Sequence, residues 1–294
     1  MKDVSDENYK KHLELRKEIK ERTDLLKKDW NKINICLVGY SGAGKSSFVI
    51  KLKAIKNFFI ASYSNSKQKN KNKIRTLLSI QKNKIVNPRN MKISRTACEQ
   101  MTRRLLKYTF FDFLDFYDTQ GFDEEKKDLN FIEIFKAILE GRAEEGLEFD
   151  NINSNAPIDG RRRMQIVIFL LSEDEGSYEK FGKLYKVAQS MGIICSFAAT
   201  KLDEKDNDFY HEDNIDLAFE TATRNSREIE KKMFRDFDKP EDNLNFIFNY
   251  NKSSNARCFV KENSAWIFLS GLLDRLQSLE EYKYDPFKDE EVYN

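Results

Sequence analysis

The stretch NICLVGYSGAGKSSF, residues 34–48, constrains the fold more than any other part of the chain. An apolar run ends in three clustered glycines, and a lysine and two serines follow at once. Gly39–Ser46 fits the pattern G-x-x-x-x-G-K-[ST], between a run that reads as a strand and a segment that reads as the start of a helix. Without a Cβ, Gly39, Gly42 and Gly44 let consecutive backbone N–H groups turn inward and approach an anion closely. A helix starting near Lys45 points its positive end at the same place. The pattern predicts a phosphate cradle in which Lys45 bridges β- and γ-phosphates and the Ser46 hydroxyl ligates Mg²⁺.

Beyond residue 33 the texture supports that setting. Apolar runs at 33–38, 105–111, 113–117, 165–171, 193–199 and 246–248 alternate with helical patterns near 45–55, 129–140, 178–191, 215–237 and 264–282. Alternating strands and helices predict a mostly parallel sheet covered on both faces. The runs 105–111 and 113–117 are too close for a crossover helix, so they read as a hairpin that adds one antiparallel edge strand. Residues 1–30 read as a charged surface helix, 31–283 as one α/β unit and 284–294 as a tail.

Several function classes are set aside by what the chain contains. Lys and Arg number 51 against 49 Asp and Glu, so global charge gives no reason to expect nucleic acid. The four cysteines are far apart and there are only two histidines, which argues against a zinc site or a histidine triad. The first thirty residues are charged throughout and no run is long enough to span a bilayer, so the chain reads as soluble and cytoplasmic. Between Ala61 and Cys98 there is no acidic residue and ten cationic ones. This segment reads as a mobile basic loop, solvated by default, with membrane contact as the lesser alternative.

Two further motifs follow strands. Asp118-Thr119-Gln120-Gly121 comes after DFLDFY: Asp118 can hold a water on Mg²⁺, and Gly121 can offer its N–H to a γ-phosphate. Thr200-Lys201-Leu202-Asp203 starts at the last residue of IICSFAAT. The Asp203 carboxylate can accept from N1–H and the 2-amino group of guanine, whereas adenine offers neither donor, and the Lys201 stem can lie over the base. Sites built on such donors discriminate strongly. Three motifs in this order favour GTP over ATP.

GKSSF, DTQG and TKLD, with a leading helix ending in DW, resemble the interferon-induced protein 44 family of GTPase-like proteins, within the septin- and dynamin-related class. Softer likeness in ILEGRAEEGLEFD, FNYN and AWIFLSGLLDRL extends it over roughly residues 25–283. The resemblance implies a Ras-like GTPase fold and a site at Gly39–Ser47 (with Ser41, Ala43 and Ser47 in the cradle), Asp118–Gly121 and Thr200–Asp203. It also implies GTP and GDP as ligands and a possible homodimer through the GTPase domain. Asn249, after the last strand, is read as a base contact. Thr96 is preferred over Thr102 as the switch threonine on Mg²⁺. Phe122 stands where Ras-type enzymes carry the water-orienting glutamine, leaving Gln120, a partner protein or dimerisation to position water. Two readings remain: a slow or partner-activated GTPase switch, and a guanine-nucleotide-binding scaffold with little hydrolysis.

Overall fold

The computed structural model describes residues 3–26, 32–49, 51–52, 103–110, 112–121, 131–173, 177–202, 215–238, 244–248 and 259–281. The elements run α1 (Asp3–Leu26), β1 (Ile33–Val38), β2 (Leu106–Phe110), β3 (Leu114–Asp118), α2 (Phe131–Leu139), β4 (Ile166–Leu171), α3 (Glu179–Ser190), β5 (Ile194–Ala199), α4 (Ile215–Asn225), α5 (Arg227–Asp236), β6 (Leu244–Phe246) and α6 (Phe259–Glu281). An unlabelled helix follows the glycine loop, with helical residues at 45–49 and 51–52.

The six strands form one sheet in the order β2-β3-β1-β4-β5-β6. All neighbours are parallel except β2 and β3, which pair antiparallel with Tyr108 opposite Phe116. The expected edge hairpin is therefore present, and the fold is the Ras-like α/β arrangement. Every residue of β1 and β4 is buried, as central strands covered on both faces require.

Alternation along the strands sorts two cores. Cys36, Val38, Val167, Phe169 and Leu171 face α2, α3 and α5, and meet Phe135, Phe181, Tyr185 and Phe237. Phe169 stacks on Phe197 at 5.4 Å between ring centroids, and Phe237 stands edge-on to Phe197 at 4.9 Å. Ile35, Leu37, Ile166, Ile168 and Leu170 face the other way, onto Phe48, Leu52, Trp266, Leu269 and Leu273. Ile19 and Leu26 of α1 belong to this second core. The two helices are joined by polar contacts as well. Arg22 donates to the Ser270 carbonyl at 3.2 Å and pairs with Asp274, while His12 Nδ1 lies 3.1 Å from Asn263 Oδ1.

Three readings shift in detail, one being the last strand, which spans Leu244–Phe246 where the run 246–248 was expected. The continuous pattern at 215–237 is two helices, α4 and α5, parted at Ser226, whose hydroxyl donates to the Thr223 carbonyl at 3.0 Å. The last helix starts at Phe259, ahead of the expected 264. The basic segment 61–98 lies outside the described residues. Among the described residues no helix is long and apolar enough to cross a membrane.

Candidate phosphate-binding site

Because β1, β3, β4 and β5 are parallel, the loops after them emerge at one edge of the sheet, the usual ligand crevice of open α/β folds. Gly42 and Gly44 take φ of 83° and 87°, left-handed conformations that glycine adopts without steric cost. The turn closes through Ala43 N–H to the Tyr40 carbonyl at 3.1 Å, and the helix opens with Phe48 N–H to the Gly44 carbonyl at 2.8 Å. Lys45 reaches back over the curl, and its ammonium donates to the carbonyls of Gly39 and Tyr40 at 2.8 and 3.0 Å. Ser41, Gly44, Ser46 and Ser47 are partly exposed around it, and Gly42 is open to solvent.

Strand β3 delivers Asp118, opposite Leu37 in the sheet. Its Oδ2 accepts from the Ser46 hydroxyl at 2.6 Å. Its Oδ1 is buried and has no hydrogen-bond partner among the described residues. Burial pushes the Asp118 carboxyl above its ordinary range, while the Lys45 charge and the Ser46 hydrogen bond pull it back. The Thr119 hydroxyl ties this segment to the Leu37 carbonyl at 2.6 Å. Gly121 then passes so close to the glycine loop that a Cβ on it would lie 2.5 Å from Ser41 Cα. Gln120, half-buried, sits between them in sequence.

From β5, the Thr200 hydroxyl donates to the Ala43 carbonyl at 2.8 Å. Lys201 holds φ of 63°, unusual for a side-chain-bearing residue. Its ammonium stands 3.9 Å from where a Cβ on Gly42 would be. Thus Gly39, Ser41, Gly42, Ala43, Gly44, Lys45, Ser46, Ser47, Asp118, Gln120, Gly121, Thr200 and Lys201 gather at one edge. Thr96, Thr102, Phe122, Asp203 and Asn249 lie outside the described residues.

The donor set fits a hard divalent cation. A hydroxyl and a carboxylate stand side by side, and a buried carboxylate oxygen lacks a partner, the oxygen chemistry that Mg²⁺ takes. Among the described residues no group of three or more His, Cys, Asp or Glu could hold a metal. A cation held by these two residues would draw the rest of its shell from water, phosphate oxygens or residues outside the described set. Ser46 would hold it directly and Asp118 through water, and it would offset the charge of a bound triphosphate.

Sequence reasoning passed over Tyr40, the second residue of the loop. Its hydroxyl donates to the Ser177 carbonyl at 2.6 Å and its ring packs on Phe181 at 4.5 Å, bracing the cradle against the start of α3. An aromatic beside the first glycine of the loop was the available signal.

No family model matches the chain, and no curated protein does. Among solved structures it is similar to a dimerization-deficient mutant of Toc33 from Arabidopsis thaliana, at 14% identity and TM-score 0.45, over 87% of this chain and 91% of that one. It is also similar to a Thermus thermophilus protein, at 13% identity and TM-score 0.33, over 68% of this chain and 22% of that one. A third is the signal recognition particle receptor SRb-GTP/SRX complex from Chaetomium thermophilum, at 12% identity and TM-score 0.29, over 75% and 95%. The Ras-like fold itself is carried by the strand order, the single antiparallel edge and the glycine loop.

Proposed function

We propose that the chain binds GTP and GDP with Mg²⁺ at Gly39–Ser47, Asp118–Gly121 and Thr200–Asp203, and that it is a slow or partner-activated GTPase acting as a molecular switch in the cytoplasm. The observation that carries this reading is the hydrogen bond from Thr200 to the Ala43 carbonyl. It joins the motif suited to guanine directly to the loop suited to phosphate, so one ligand can span both. In this reading Lys45 exchanges loop carbonyls for phosphate oxygens, Ser46 and Thr96 ligate the metal, and Gly121 meets the γ-phosphate. Gln120, a partner or a second copy of the chain positions water.

Phe122, standing where a water-orienting glutamine would help hydrolysis, favours a second reading. In it the chain is a GTP- or GDP-binding assembly module with little turnover. Multiple-turnover phosphate release separates the two. Membership of the interferon-induced protein 44-like family, self-association through the GTPase domain, and the unit boundaries 1–30, 31–283 and 284–294 belong to this proposal. Its support is the motif resemblance. No nucleic-acid partner is invoked, and membrane contact by the 61–98 segment is the lesser alternative.

The base assignment is tested by Asp203→Asn. The new amide sets a donor against the guanine amino group, whereas xanthine offers a carbonyl there. Relative affinity should move from GTP toward XTP by about 2–4 kcal/mol, at roughly 1–3 kcal/mol per mismatched buried contact. ATP should gain little. Competition of the three nucleotides against a fluorescent analogue reads the result, and a mutant that keeps its GTP preference sinks the guanine reading.

A further inference from the structure

The helix after the glycine loop carries a lysine where its neighbours are apolar. Lys51 is 1% exposed, in a helix that also buries Phe48, Val49 and Leu52. An ammonium in such surroundings is costly unless it is hydrogen-bonded. Lys51 Nζ donates to the Phe248 carbonyl at 2.5 Å and to the Ser264 hydroxyl oxygen at 3.2 Å.

What it holds is the place where the chain leaves the sheet. The β5–β6 ladder ends with Ala199 opposite Phe246. Ile247 N–H still reaches the Ala199 carbonyl at 3.0 Å. One residue on, Phe248 is fully buried past the end of the ladder, and side chains serve both of its backbone groups. Its N–H donates to Ser264 Oγ at 3.3 Å and its carbonyl accepts from Lys51. The Ser264 proton goes to the Lys261 carbonyl at 2.8 Å, so one hydroxyl gives its hydrogen to α6 and takes two donors from elsewhere. Beside this point β5 ends, and Thr200 and Lys201 follow it directly.

We propose that Lys51 is a positioning residue for recognition of the nucleotide base. By fixing Phe248 it sets the carboxyl end of β6 relative to the Thr200–Lys201 corner, against which the base is read. This rests on the guanine-nucleotide reading above. Stability alone is a weak reason for the ammonium, since buried charges replaced by apolar groups of similar volume often leave a fold as stable or more so. A directed hydrogen bond fixes a carbonyl where an apolar contact would only fill space.

The test uses the full chain and its Lys51→Met variant, with GDP and ADP competed against a fluorescent guanine nucleotide. The two ligands share ribose and phosphates, so the ratio of their affinities isolates the base. GDP should weaken at least tenfold while ADP stays within about twofold. Equal loss of both, or an unchanged ratio, overturns the proposal. Wild-type protein that does not prefer GDP to ADP overturns the guanine reading itself, and that measurement comes first. If Lys51→Met does not fold, Ser264→Ala takes its place, because it removes the acceptor of Phe248 N–H and keeps the lysine. A fall of about threefold in the ratio is then expected, and an unchanged ratio overturns the proposal.

Discussion

Ser46 donates to one oxygen of Asp118 at 2.6 Å, and the other oxygen of that carboxylate is buried without a partner among the described residues. Burial holds the Asp118 carboxyl above its ordinary range. A native pKa above the unfolded one gives a stabilising contribution that is full at pH below the unfolded value and lost as pH rises through the native value. Ionising this carboxyl in the folded protein therefore weighs against the fold. Asp118→Asn should raise Tm at pH 7 and flatten the pH dependence of stability above the carboxylate range. The same variant should lose Mg²⁺-dependent GTP binding. Thermal melts of ligand-free protein from pH 4 to 8 check the first part, and a variant that melts lower than wild type at pH 7 contradicts it.

Gly121 has no room for a side chain, since a Cβ would sit 2.5 Å from Ser41 Cα and 2.7 Å from Ser41 N. Both obstacles are backbone, so Gly121→Ala must push the segment after β3 away from the glycine loop. If Gly121 N–H meets the γ-phosphate, this should weaken GTP at least tenfold, about 1.4 kcal/mol, and GDP much less. Titration calorimetry with both nucleotides decides, and equal weakening assigns the contact elsewhere.

Tyr40→Phe keeps the ring on Phe181 and removes only the hydroxyl that donates to the Ser177 carbonyl. The loss should be about 1 kcal/mol, near the net value of one hydrogen bond. Urea denaturation measures it. A variant as stable as wild type would show that the brace contributes nothing.

Much of the scaffold was legible because its signals are local. The close spacing of two apolar runs gave the β2–β3 hairpin, and the glycine pattern gave the turn before Lys45. The split between α4 and α5 was not legible: Ser226 keeps a helix-like backbone, with φ of −83° and ψ of −8°, so the apolar periodicity runs on through it. The end of β6 misled in the other direction. Ile247 and Phe248 are as apolar as strand residues and fully buried, yet they lie past Phe246, where the strand ends. At the site, residue types named Lys45, Ser46 and Asp118, but the role of Lys51 depends on a partner 197 residues away in sequence. No window of the chain contains both.

Lys45 is already engaged with the Gly39 and Tyr40 carbonyls of its own loop. Its desolvation is thus completed during folding, and an arriving anion meets an ammonium that trades partners without first shedding a hydration shell. In the proposed nucleotide site these two carbonyls would stand in for phosphate oxygens. Affinity for such an anion would then be a difference between two sets of oxygen contacts. A substitution that weakens the loop's own grip on Lys45 can tighten ligand binding while loosening the protein.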